Sequence, residues 1–350
     1  MKKYAYLQLC IYSVSLLAIT SLGIYLQPLS GDLTRIGGFS ENNFRPFENQ
    51  QILAKTLSDF DNYDQYYDVV ILGDSFSQSR SYGWQQWLAM RSSLSVTTLH
   101  INKWSISKLI EHPVFINTPP QLVIFETAER NMEKRLARNE KSSCSEFSKT
   151  SIFNKVIVNP DKQKLLTVLP AEKTFNIDYE QAVSFFRANY RSHIQNKPRT
   201  ISLELENTNL FSNNKSNAIL VLKKDFKKLK WPADILDKSL CTLKNFQHNV
   251  QKNGTTWFVS MIAPDKLTAY LPYINSDKNL PNTFLNKMHE DEELQIVDLL
   301  TPIKNALERE EKDIYSPNDS HWSSRGHKLV ADSLLAYLVK NNIVFDKNKD

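Results

Sequence analysis

The chain is poor in cysteine and glycine, with 3 Cys and 8 Gly in 350 residues. Three cysteines exclude a disulfide-dense scaffold. No Cys-x-x-Cys pair or Cys/His cluster is present to hold a structural zinc. Internal repeats, low-complexity tracts and a collagen-like glycine period are all missing. A hydrophobic share of 41% with 23% charged residues excludes a wholly disordered chain. The charge imbalance is small, 43 basic against 38 acidic residues. Without a long basic run, a net charge of +5 does not make nucleic acid the default partner.

What is present begins at the N-terminus. Lys2 and Lys3 are the only charges before Asp32, and an apolar stretch runs from Tyr4 to Leu26. At ~1.5 Å per helical residue it can cross a ~30 Å hydrocarbon core. The paired lysines favour a cytoplasmic N-terminus and send the remainder across the membrane. A cleaved signal peptide is the alternative, with Ser21-Leu22-Gly23 as a cleavage triplet. Both readings put the body outside the cytoplasm, and no later stretch resembles a second span. Cys10 sits inside the anchor. Cys144 and Cys241 lie in the exported part, where a disulfide between them can persist. Two separate buried thiols are the alternative.

Beyond a lead-in that reads as extended (28–60), short apolar runs recur. Asp68–Gly73 is near-continuously apolar, as suits a strand buried on both faces. Ser95–Ile101, Gln121–Glu126, Thr255–Ile262 and Leu294–Leu299 follow, with helical patterns between them. The pattern predicts an α/β fold: a doubly wound, mainly parallel five-stranded sheet. A last helix is expected over 323–340, capped by Ser323 or Ser324. About 130 residues separate the third and fourth strands, far more than one crossover needs. The organisation read from this is an anchor or signal (1–27), the lead-in, an α/β domain in two pieces (61–135 and 251–345), and an inserted helical or mixed subdomain (136–250). The insertion holds the run Lys223-Lys224-Asp225-Phe226-Lys227-Lys228-Leu229-Lys230. It reads as a solvated helix face or as a contact for an anionic glycan or lipid surface.

Three segments carry chemistry. Ser75, in Asp74-Ser75-Phe76-Ser77, follows the first buried strand. Catalytic groups of open α/β sheets gather at such carboxyl ends. A following helix N-terminus would offer N–H groups to an oxyanion. A plain N-cap is the alternative for Asp74-Ser75. Asp319 and His321 stand two apart ahead of the last helix. On an extended loop they project to one side, where the carboxylate can orient the imidazole as base for a hydroxyl nucleophile. Glu126 and Arg130 end the third strand at the same sheet edge. Arg130 is placed to steady an oxyanion or orient substrate, with Glu126 to hold it; a structural ion pair is the alternative. His327 is the one other histidine close to this motif.

Together these residues resemble the SGNH hydrolase superfamily. Asp319-Ser320-His321-Trp322 is similar to the DxHW motif of the SGNH-like alginate O-acetylation proteins. The proline-led strand from Pro119 through Glu126 to Glu129-Arg130 resembles that family's ExxER stretch. Ala263-Pro264-Asp265-Lys266, followed by Tyr270, resembles its Pro-x-Lys stretch. The likeness covers roughly 30–135 and 255–340. In the alginate proteins the DxHW segment precedes the serine; here it follows, as in ordinary SGNH hydrolases. A second-block glycine and a third-block Gly-x-Asn-Asp are not evident. The resemblance implies Ser75 as nucleophile, His321 as base and Asp319 as its orienter, with Asp74, Glu126 and Arg130 around the oxyanion and Trp322 and Lys266 toward substrate. It implies an O-acyltransferase, most simply of acetyl, acting on a polysaccharide without metal or cofactor. It further implies a multispanning membrane acyltransferase as donor partner, and residence at the inner membrane with a periplasmic body. An esterase with the same triad, and an inactive glycan-binding protein, are the alternatives.

Overall fold

A computed structural model describes residues 2–26, 31–47, 51–52, 58–78, 81–138, 166–167, 179–275 and 283–343. Helix α1 (Lys2–Leu26) contains a window, Lys3–Ser21, with a mean hydropathy of 1.3 and none of it buried. By length and composition it can cross a membrane. The lead-in is extended only in part. Asp32–Gly37 forms helix α2, and Gly38, at a φ of 74°, ends it. Leu33 is buried against Leu220 and Leu222, so one apolar face is enough to fold this short helix onto the body.

Among the described residues six strands form one parallel sheet: β1 (Ser58–Phe60), β2 (Val69–Gly73), β3 (Val96–His100), β4 (Leu122–Ala128), β7 (Trp257–Ala263) and β8 (Ile296–Val297), in the order β8-β7-β4-β2-β3-β1. The expected five are therefore joined by a sixth. β1 has the sequence Ser-Asp-Phe, with no apolar run to announce it, and pairs only at the edge of β3. β2 lies between β3, which follows it, and β4, so the order of the chain reverses there. Loops leaving the carboxyl end at such a switch point open a crevice.

The strands alternate between two cores with the period of two that a pleated strand imposes. Val69, Ile71, Ile124 and Val259 face one side; Val70, Leu72, Val123 and Phe258 face the other. Helix α3 (Trp84–Ser92) and helix α8 (Ser324–Lys340) cover the first side through Trp84, Trp87, Leu88, Val330 and Leu334. Each aliphatic residue buried so completely contributes ~1.5–3 kcal/mol.

The 136–250 stretch is mixed where it is described. Helix α4 (Tyr179–Asn189) continues into a π turn (Tyr190–Ile194). Strands β5 (Thr200–Glu204) and β6 (Ala218–Leu222) pair antiparallel, and helix α5 (Asp234–Gln251) follows. Ile219 and Val221 of β6 join the main core, while Leu220 packs on α2. Helix α6 (Lys266–Tyr270) follows β7, and helix α7 (Leu300–Glu308) follows β8. The expected Cys144–Cys241 bridge involves Cys144, which lies outside the described residues. Cys241 is in a disulfide, and Cys10 is free and exposed.

Candidate active site

β2 ends at Gly73, and Asp74 turns the chain into a single 3-10 turn, Ser75–Ser77. The expected helix start at Ser75 is thus replaced by one tight turn, and α3 begins at Trp84. The cause is local. The Asp74 carboxylate accepts the Phe76 N–H at 3.1 Å, and the Asp74 carbonyl accepts the Ser77 N–H at 2.9 Å. So short a turn has almost no dipole, and it offers an anion only individual N–H groups. The Phe76 N–H is taken; the Ser75 N–H has no acceptor among the described residues. Gly73 is required by space: a Cβ there would meet Ser77 Oγ at 2.5 Å.

Asp74 and Glu126 hold this turn from beneath. Asp74 accepts from Ala128 N at 2.9 Å and from Arg135 Nη1 at 2.5 Å. Burial alone would raise its pKa, but the Arg135 charge and these N–H groups outweigh burial and lower it. Glu126 accepts from Asp74 N at 3.0 Å and Ser77 Oγ at 2.7 Å. Complete burial, then the neighbouring Asp74 charge, pushes its pKa well up. Glu126 therefore supports the serine turn and does not hold Arg130, as the sequence suggested.

His321, the candidate base, lies on the loop before α8. Ser316 N donates to His321 O at 3.1 Å, and Tyr315 bridges Trp322, so the loop closes on itself and projects its tip. At that tip His321 Nε2 lies 2.8 Å from Ser75 Oγ, and His321 Nδ1 lies 2.6 Å from Asp319 Oδ1. Asp319 also accepts the His321 N–H at 2.9 Å. Burial would raise the Asp319 pKa, but its bonds to His321 dominate and hold it far below the usual carboxylate range. Directly behind the loop Ser323 caps α8, accepting from Arg325 N at 3.1 Å.

Asp32, which the sequence reading did not single out, extends the series. Its N–H donates to Asp319 Oδ2 at 3.1 Å, and its carboxylate accepts Ser320 N at 2.8 Å and Ser320 Oγ at 2.7 Å. Burial, then repulsion from Asp319, raises its pKa. Gly31 packs on the Asn318 backbone so closely that a Cβ would meet its carbonyl oxygen at 2.1 Å. That Gly-Asp pair was the available signal. Asp32, Asp319 and His321 place one ligand atom each within 4.8 Å of one another, a set that a metal ion could bridge. Asp319 and His321 already share a hydrogen bond there, and the Asp32 carboxylate already accepts from Ser320.

Two expected substrate contacts prove to be internal supports. Lys266 is 1% exposed. Its Nζ donates to the carbonyls of Ser316 (2.7 Å), Pro317 (3.0 Å) and Asp319 (3.1 Å), pinning the base-bearing loop from below. Burial pushes its pKa down to about 7. Trp322 is also 1% exposed, wedged between Phe76 and Tyr315. It walls the cavity from within the core.

Arg130 is likewise drawn inward. Its Nη1 donates to Asp265 Oδ1 at 2.7 Å, and its guanidinium lies 5.3 Å from the Phe76 ring centre. Lys228 Nζ joins Asp265 and Glu129, each at 2.7 Å. The ion-pair alternative for Arg130 is therefore the one observed, with Asp265 in place of Glu126. Lys228 was hidden within a run that reads as solvated. His327 is buried; it accepts the Trp84 N–H at 3.2 Å, and burial pushes its pKa down to about 3. It stays neutral and structural.

The result is a cavity of about 420 Å³ with Ser75 and His321 on one wall and Pro46, Gln78 and Tyr82 around them. A hydroxyl, an imidazole and a carboxylate stand in hydrogen-bonded series, with one free N–H beside the hydroxyl. That arrangement can deprotonate the serine as it attacks an acyl carbon. No protein-family model matches this chain, and neither does any curated protein or solved structure.

Proposed function

We propose that the protein is a membrane-anchored, extracytoplasmic O-acyltransferase of SGNH type that works through an acyl-Ser75 intermediate. The observation that carries this reading is the Ser75–His321–Asp319 series at 2.8 and 2.6 Å. The position of Ser75 beside the point where strand order reverses supports it as well.

Ser75 Oγ attacks the carbonyl carbon of an acyl ester while its proton passes to His321 Nε2. The Ser75 N–H donates to the oxyanion. Collapse of the adduct breaks the bond to the donor oxygen, which leaves with the proton from Nε2. A sugar hydroxyl then gives its proton to Nε2 and attacks the acyl-serine. Its ester forms as Ser75 Oγ departs and recovers the proton. Asp319 holds the Nδ1–H and steadies the imidazolium in both halves. No metal or cofactor enters a step.

A polysaccharide acceptor, acetyl as the group carried, a multispanning acyltransferase as donor partner and a periplasmic body all follow from the family likeness of the DxHW and ExxER stretches. The α1 span is compatible with inner-membrane anchoring.

The test is acyl turnover by the full chain in detergent, with p-nitrophenyl acetate and candidate oligosaccharides, against Ser75→Ala. Acetyl appearing on sugar only with Ser75 present supports transfer. Release to water that sugars do not alter makes the protein an esterase. Turnover equal to Ser75→Ala, with several acyl donors, removes the enzymatic reading.

A further inference from the structure

Helix α4 has three different surroundings. Toward the body, Ala188 is buried and Asn189 Nδ2 donates to the Gly38 carbonyl at 3.4 Å, so the helix is seated on α2. A second side packs against α1, the span. Near the far end of that span Ile19 and Thr20 are half-buried, whereas the earlier residues are exposed. The third side carries Val183, Phe186, Tyr190 and Ile194, which stay exposed. Phe186 is 65% and Ile194 71% exposed. Their spacing of three, four and four residues lines them up along one helical face. A contiguous apolar stripe of this kind on a globular body marks an interaction surface.

Cations gather around the stripe. Arg187 and Arg191 flank it on the helix, and Lys197 and Arg199 follow in the next loop. Beyond them a cavity of about 660 Å³ is floored by Ile36, Ile201, Leu222 and Phe226 and rimmed by Arg199, Lys223, Lys224, Lys227 and Lys230. Among the described residues no acidic side chain lines it. The basic run thus divides by burial: Lys228 is consumed in the internal ion pairs, while its exposed lysines form this rim.

We infer that the α4 face rests on the lipid bilayer that α1 crosses, with Phe186, Tyr190 and Ile194 in the interfacial layer and the basic rim against lipid phosphates. Continuity argues for lipid over other occupants, because the stripe adjoins the span itself. Charge argues the same way. An apolar helical face bordered by Arg and Lys is the pattern of a helix lying in the interface plane, and Tyr favours that depth. Basic groups beside such a face are drawn to the phosphate layer. The inference does not rest on the acyl-transfer reading. It adds an orientation: α2, which supplies Asp32 to the catalytic series, is the next helix in from the membrane-facing one.

The test uses the full chain in phosphatidylcholine–phosphatidylglycerol nanodiscs, in a Cys10→Ala background. Nitroxides are attached at Phe186→Cys, Ile194→Cys and, as a water-exposed control, Arg309→Cys. The expected result is several-fold more collision with oxygen than with a nickel chelate at 186 and 194, and the reverse at 309. In the unsubstituted chain, a photoactivatable phosphatidylglycerol should crosslink within 183–199. Nitroxides at 186 and 194 as open to nickel as the control, with no lipid adduct in 183–199, overturn the inference. Shielding at 186 accompanied by dipolar broadening between chains also overturns it, because a second copy then covers the stripe.

Discussion

The backbone N–H of Asp32 donates to the Asp319 carboxylate at 3.1 Å, across 287 residues of chain. The Asp319 carboxylate is therefore held from two sides, by His321 on one oxygen and by the lead-in helix on the other. Asp32 also fixes Ser320, the residue between Asp319 and His321, through two bonds. Asp32→Ala removes both of those while leaving its own N–H in place. A lost charge-assisted bond is worth ~1.5–3 kcal/mol. The expected outcome in ester turnover is a kcat lower by about ten- to a hundredfold, with KM little changed. A shift in KM alone, at unchanged kcat, would show that Asp32 does not steady the base.

Replacing Ser75 by Ala removes the proposed nucleophile, the one exposed residue of a buried turn whose supports all lie elsewhere. Turnover should fall by about a thousandfold or more, with Tm unchanged in a thermal melt. Asp319→Asn should cost a similar amount, because the amide no longer fixes the imidazole tautomer. Asp319 also carries a stability signature. Its pKa is depressed in the fold, so its contribution is complete above the unfolded value of about 3.9 and fades as pH falls below it. Melts of wild type and Asp319→Asn between neutral and strongly acidic pH should converge at the acid end.

Glu126 has the opposite sign. Its pKa is raised in the fold, by burial and then by Asp74. Stability from its protonated form is complete below about pH 4.3 and is lost as pH rises through the folded value. Glu126→Gln should therefore gain on the wild type as pH increases from acid to neutral. Glu126→Ala empties the acceptor of Asp74 N and Ser77 Oγ and should destabilise by about 2–4 kcal/mol. Denaturant unfolding across pH separates the two variants, and equal pH profiles for Glu126→Gln and wild type would refute the raised pKa.

Most of the sheet and the Asp319–His321 pairing could be read from the residues, for a physical reason. Val69–Gly73 and residues 122–125 are buried on both faces, so their apolar runs are continuous and visible. Asp319 and His321 act through a local bond two residues apart, and local spacing is what a sequence displays. Asp32, Asp265 and Lys228 act through partners 37 to 288 residues away. The local signals are slight: Gly31 beside Asp32 and the Pro-x-Lys stretch around Asp265, while nothing near Lys228 distinguishes it from a surface charge. Lys266 was read in the right place with its side chain turned the other way, because a motif gives proximity to a site without the direction in which a side chain points. β1 was missed because a three-residue edge strand needs no apolar face of its own.

Lys266 gives the sharpest test of that distinction. Its ammonium has three N–H donors for the three carbonyls of the base-bearing loop. Deprotonation leaves two donors for those three acceptors. Burial lowers its pKa to about 7, against an unfolded value of about 10.4. Between those values the unfolded chain binds the extra proton, so stability from this group rises with pH over that window. Lys266→Met fills the volume without titrating. It should be less stable than wild type by about 2–4 kcal/mol, since it leaves three buried carbonyls unpaired. The gap should widen as pH rises from 7 toward 10. Turnover should move the other way: wild-type kcat should decline on the alkaline side as the loop loses a donor, and Lys266→Met should lack that limb while starting lower. A substrate-binding lysine would instead change KM with saccharide concentration and leave the melting difference flat with pH. Paired melts and pH–rate profiles of the two proteins decide between the two roles.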